Sequence, residues 1–116
     1  MLTLLPEGVE DYAIAHSSSM PPLLQELAET TTEGMGDRAR MLSGPLVGTL
    51  LQMLVASTRT TRVLEIGTFT GFSALMMAQS LPKSGELVTC EYDSKVLEVA
   101  RAFFSPQRAW QQDQGT

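Results

Sequence analysis

A carboxylate set just ahead of a glycine-rich turn is where this sequence carries most of its chemistry. Glu65, Gly67 and Gly71 stand in the pattern Glu-x-Gly-x-x-x-Gly within Val63-Leu64-Glu65-Ile66-Gly67-Thr68-Phe69-Thr70-Gly71. A strand that feeds a helix through such a turn brings bare backbone amides and the positive end of a helix dipole to one point, where a nucleotide-like ligand can sit. The spacing narrows the ligand. A dinucleotide fold asks for Gly-x-Gly-x-x-Gly, and Phe69 occupies the place of its second glycine, which disfavours a nicotinamide-dependent oxidoreductase. An acid ahead of the first glycine repels phosphate and suits a cation. Glu91 lies 24 positions beyond Gly67, close to the ~20 expected of an acid that accepts ribose hydroxyls in a βαβ nucleotide fold. Asp93 could stand in for it, although its place beside Ser94 suits capping of the helix that follows.

These residues need a strand, a turn and a helix to position them, and the pattern predicts all three. Arg62-Val63-Leu64-Glu65-Ile66 is a short apolar run that ends abruptly at Gly67, as a buried parallel strand does. Phe72 to Leu81 is rich in Ala, Leu and Met and stops at Pro82, which predicts a helix. After the turn Lys83-Ser84-Gly85, Glu86 to Glu91 reads as a second strand, and Ser94 can cap a last helix carrying Val96, Val99, Ala100 and Phe103. Upstream, Pro6, Glu7, Glu10 and Asp11 open a short helix. Ser18 or Ser19 can cap a second one, which holds Pro21, Pro22, Leu24 and Leu27 and frays at Thr30-Thr31-Thr32. Arg38 and Arg40 follow in a loop and read as solvated charges. Ser43 is a natural N-cap for a third helix, whose Leu46, Val47, Leu50, Leu51, Leu54 and Val55 recur on one face and read as core. The order is three helices followed by β-α-β-α, an α/β fold.

Bulk properties bound the function. At 116 residues and 43% hydrophobic the chain fits one soluble domain. A net charge of −5 argues against nucleic acid as a direct partner. Cys90 is the one cysteine, within Leu87-Val88-Thr89-Cys90, and is expected to be a small buried thiol; a reducing, cytoplasmic setting fits it. No secretory signal is recognisable at the N-terminus, and no apolar run is expected to approach the ~20 residues that span a bilayer. His16 reads as a surface or hinge residue, and Met76 and Met77 as core or dimer-face fillers.

Val63 to Leu75, VLEIGTFTGFSAL, resembles the first motif of the caffeoyl-CoA and catechol type O-methyltransferases, family 3. Met41-Leu42-Ser43-Gly44-Pro45 and Leu87-Val88-Thr89-Cys90-Glu91 fall where that family has its pre-motif loop and its ribose-binding strand end. The resemblance covers Tyr12 to Phe104. It implies a Rossmann-like methyltransferase fold, here a truncated one: a helical segment over 1–58, the first half of the cofactor domain over 59–104 and an irregular tail, expected to be disordered, over 105–116. The implied cofactor is S-adenosylmethionine, whose ammonium and sulfonium supply the cation. Met41 and Ser43 would lie near its methionine moiety, Glu65, Gly67 and Ser73 would line it, and Glu91 would hold its ribose. The family also holds a divalent metal, Mg2+, through two aspartates and an asparagine from later strands. Those ligands are absent here, and Asp93, Glu98 and Asp113 do not reproduce them, so no catalytic or metal residue is assigned.

What the resemblance implies is methyl transfer to a hydroxyl of a small acceptor, catechol-like or a CoA-linked phenol, with no turnover expected of this chain alone. The other reading is a non-catalytic module that binds the cofactor or interferes with a dimer. A two-stranded sheet with one open edge is below the size that usually stands alone. Self-association, or pairing with a full-length relative, is therefore expected.

Overall fold

The computed structural model describes residues 4–105. Along the chain run α1 (Val9–Ala15), α2 (Pro22–Gly34), a 3-10 helix (Gly36–Met41), α3 (Gly44–Ser57), β1 (Arg62–Ile66), α4 (Phe72–Ala78), β2 (Glu86–Cys90) and α5 (Ser94–Phe103). The expected order of helices and then β-α-β-α is what forms. β1 and β2 pair in parallel, from Arg62 opposite Glu86 to Ile66 opposite Cys90.

Burial of apolar side chains from three helices holds this arrangement together. Leu24 and Leu27 of α2, Phe72, Leu75 and Met76 of α4, and Phe103 of α5 form one cluster. The core therefore crosses residue 58, so the helical segment and the strand-bearing half share one interior. Met76 and Met77 are both buried.

α3 docks on α4 in an unexpected orientation. Its contact face holds Gly48, where an added Cβ would lie 2.8 Å from Met76 Cε, and Gln52, whose amide donates to Gln79 Oε1. Positions 48, 52 and 55 follow helical spacing, so Val55 of the stripe read as core is buried, and Leu46 and Leu51 are half-buried. Val47, Leu50 and Leu54 are about half exposed, a correction to the sequence reading.

The strands also differ from expectation. Both alternate exposed and half-buried residues instead of being buried throughout. Val63, Glu65, Leu87 and Thr89 take the half-buried face, while Leu64 and Ile66 are 68% and 78% exposed on the other. Val88 shares that open face, and Cys90 is exposed there rather than buried, because no helix among the described residues covers it. A disulfide reagent is expected to label Cys90 in the folded chain at close to the rate of a free thiol. Slow labelling that speeds up on dilution would show instead that a second copy covers this face.

Several element ends move too. α2 does not fray at Thr30-Thr31-Thr32 but continues to Gly34, because Thr31 is fully buried and bonded. Its N-cap position is Pro21, which has no side-chain acceptor, rather than Ser18 or Ser19. α4 stops at Ala78, with turns through Leu81. Asp93 caps α5 by accepting from Lys95 N at 2.9 Å, and Ser94 is already helical. His16 closes α1, with Nδ1 2.8 Å from Tyr12 O and its ring stacked on Tyr12. The tail expected to be disordered lies, from residue 106 on, outside the described residues.

Residues 36–57 are, by length and a mean hydropathy of 1.3, apolar enough to match a membrane span, which the sequence reading did not anticipate. Leu42 is extended at φ −64°, ψ 130° and breaks that stretch. The 14-residue α3 that remains is about 21 Å long at ~1.5 Å per residue, short of the ~30 Å hydrocarbon layer.

Candidate cofactor site

The turn after β1 sits against the start of α3. Together they form a small solvent-open cleft, with Met41, Leu42 and Ser43 on one side and Gly67, Thr68, Phe69, Phe72 and Ser73 on the other. Four of the residues singled out from sequence, Met41, Ser43, Gly67 and Ser73, thus meet in one cleft. Ser43 holds the N-cap position of α3 but makes no capping bond, so its hydroxyl is available to a ligand. Gly67 adopts φ +98°, a conformation that favours glycine, and a Cβ there would meet nothing within 4 Å. That open space is the floor of the cleft.

Glu65 is not in the cleft lining; it anchors a side-chain chain behind it. Ser73 Oγ donates to Glu65 Oε2 at 2.5 Å, and Thr89 Oγ1 donates to Glu65 Oε1 at 2.8 Å. A hydroxyl has one proton to give, so Thr68 must be the donor in its 2.6 Å contact with Thr89. The carboxylate therefore fixes the Ser73 side chain and, through two threonines, the turn. Thr89 was not singled out from sequence. The strand alternation that predicts Glu65 facing inward also places Thr89 directly across from it.

Glu91 closes the turn from the β2 side. Its Oε1 accepts from Phe69 N at 2.7 Å and its Oε2 from Asp93 N at 3.0 Å. The Asp93 amide, opposed by partial burial and aided by the Phe69 amide, holds the Glu91 carboxyl below the usual glutamate range. Phe69 is a non-glycine residue at φ +50°, and its ring is nearly buried.

Three of the turn's amides are bonded within the chain, whereas Thr68 N and Thr70 N make no hydrogen bond among the described residues. Gly67 N bonds Cys90 O at 2.7 Å, Gly71 N bonds Thr68 O at 3.0 Å, and Phe69 N is taken by Glu91. These three amides are therefore not available to a ligand. Beside the open amides stand hydroxyls and carboxylates, a set suited to a ligand with a cationic end and a diol.

Two further links escaped the sequence reading. Thr31 Oγ1 donates to Leu27 O at 2.7 Å and lies 2.8 Å from Thr70 Oγ1, both threonines being fully buried. Thr70 is therefore the donor of that pair. Thr31→Val would leave the Thr70 hydroxyl buried without its partner, and urea unfolding is expected to show a loss of about 1–3 kcal/mol. Arg38, though half exposed, is more than a loop charge: its guanidinium lies 2.9 Å from Asp93 Oδ2 and 6.0 Å from the centre of the Phe69 ring. Arg38 and the Lys95 amide hold the Asp93 carboxyl below its ordinary range, the amide contributing more.

Among the described residues, no three His, Cys, Asp or Glu side chains come together as a metal site. The described residues do not fit the divalent metal implied by the resemblance.

Comparison with known proteins places these features. The O-methyltransferase family model Methyltransf_3 matches residues 14–113. The O-methyltransferase ankF of Aspergillus thermomutatus is 35% identical over 98 residues, 84% of this chain and 41% of that protein. The catechol O-methyltransferase of Niastella koreensis is 37% identical over 75 residues, 65% of this chain and 34% of that protein. The solved O-methyltransferase TomG of Streptomyces achromogenes, in complex with S-adenosylmethionine, superposes with a TM-score of 0.74 at 27% identity, covering 90% of this chain and 44% of that one. The chain spans under half the length of these relatives.

Proposed function

Because the chain belongs to the O-methyltransferase family, we propose that it is the cofactor-holding half of an S-adenosylmethionine-dependent O-methyltransferase. The observation that carries this reading is the cleft that gathers Met41, Ser43, Gly67 and Ser73, backed by carboxylates at Glu65 and Glu91. Ser43 and Ser73 would hold the amino-acid end of the cofactor, with Met41 near its methionine moiety. Glu65 keeps Ser73 in place and adds negative potential beside the ammonium and sulfonium. Glu91 would accept the two ribose hydroxyls on lone pairs left over from its two amide bonds, since a carboxylate has about four acceptor sites. When bound, the cofactor supplies an activated methyl group on its sulfonium. The acceptor class supported by the relatives' names is a small catechol-like or phenolic hydroxyl.

A second reading, a module that binds the cofactor without turning it over, is favoured by the lack of a metal cluster among the described residues. Calorimetric titration separates the readings. S-adenosylhomocysteine is expected to bind in the micromolar range, NAD to give no heat, and catechol with magnesium to remain unmethylated by the isolated chain. Catechol methylation would establish the complete enzyme, and NAD binding in place of S-adenosylhomocysteine would overturn the cofactor assignment.

A further inference from the structure

Arg38 sits in the 3-10 helix that leads directly into Met41, Leu42 and Ser43, one side of the cleft. Its partner Asp93 follows β2 on the other side, where Glu91 holds the Phe69 amide and the Asp93 amide at once. The Phe69 ring lies beside this pair, its centre 6.0 Å from the guanidinium. The segment that carries Met41 and Ser43 is thus tied to the far side of the glycine turn by Arg38, in addition to the packing of Leu42 against the core cluster. Within that segment only local backbone bonds are recorded, Arg38 N to Met35 O and Leu42 N to Ala39 O, both at 3.0 Å. These fix its internal shape and leave its distance from the turn to side chains.

We infer that Arg38 and Asp93 are positioning residues for the cofactor: their ion pair, laid over Phe69, holds Met41 and Ser43 at the working distance from Gly67 and Ser73. The inference rests on the cofactor assignment above. It follows from charge and placement. Arg38 is the cation that reaches across, and Asp93 can pair with it while still capping α5, because Oδ2 faces Arg38 and Oδ1 accepts from Lys95 N. A lysine could keep the charge but not the planar contact with the ring. The pair is partly solvated, with Arg38 47% and Asp93 30% exposed, so its effect is modest, about three- to fivefold in affinity.

The test is a double-mutant cycle on S-adenosylhomocysteine affinity in the full chain, using Arg38→Ala and Asp93→Asn. Asparagine keeps the capping oxygen and removes the charge. Each variant is expected to raise Kd about three- to fivefold, and the double variant no further than either one. Arg38→Lys should recover part of the loss, and urea midpoints should not follow the same coupling, as they would if the pair served stability alone. Unchanged Kd in Arg38→Ala, with wild type binding, would overturn the inference and leave the cofactor assignment standing. If wild type binds no S-adenosylhomocysteine, the cofactor assignment fails instead. Amide exchange at Leu42 in the ligand-free chain then decides on the bridge: faster exchange in Arg38→Ala supports it, and equal exchange overturns it.

Discussion

Replacing Glu91 with alanine is expected to weaken S-adenosylhomocysteine binding roughly 100-fold, because a hydrogen bond to a charged group contributes about 1.5–3 kcal/mol and two ribose hydroxyls lose theirs. The effect has a second source. Glu91 also holds the Phe69 and Asp93 amides, so its removal frees the left-handed residue at the apex of the turn. Glu91→Gln separates the two, since a carboxamide keeps one acceptor oxygen and should fall between wild type and alanine. The same carboxylate gives stability a pH dependence of known sign. Its pKa is lowered in the folded chain, so its contribution is full above the unfolded value, about pH 4.3, and is lost as pH falls through the lower folded value. Acid unfolding of Glu91→Gln followed by circular dichroism should lack that loss.

Gly71→Ala is expected to destabilise the fold by about 3 kcal/mol, measured as a lower urea midpoint. Gly71 sits at φ +96° at the start of α4, and a Cβ there would come 2.6 Å from Phe104 Cε1. The left-handed backbone costs an L-residue about 1–2 kcal/mol, and forcing the ring aside costs about 1–3 more. Gly67→Ala is the matched control. It has nearly the same backbone, φ +98°, but open space around its Cβ, so only the first cost of about 1–2 kcal/mol applies. Its methyl would instead enter the cleft and lower cofactor affinity. Equal destabilisation by both variants would contradict the packing of α5 against the turn.

The fold and the glycine turn were legible because they rest on short-range signals. Gly67, Gly71 and the apolar run before them specify a strand, a turn and a helix without reference to the rest of the chain. What was misread depends on how elements dock. Helical periodicity shows that Val47, Leu50 and Leu54 share a face of α3, but the helix rolls so that Gly48 can meet Met76 closely. Thr31 carries no local signal of burial; its partner Thr70 is 39 positions away. Arg38 reads as a loop charge until the return of the chain after β2 brings Asp93 to it. Cys90 shows the limit of an apolar run, which says that a residue can be buried, whereas the number of covering helices says whether it is.

The bonds from Glu65 also bear on how two short parallel strands find their alignment. Slipping β2 by one residue would place Val88 or Cys90 opposite Glu65 in place of Thr89. It would also turn the apolar side chains of β2 to the other face of the sheet. The carboxylate would lose a hydroxyl donor, and Thr68 would lose the acceptor that steadies the turn. A misaligned pair would thus carry a half-buried acid short of one donor, at a cost of about 1 kcal/mol. The register that seats Thr89 on Glu65 is also the one that steadies the turn, so the alignment of the sheet and the shape of the cleft depend on one set of bonds.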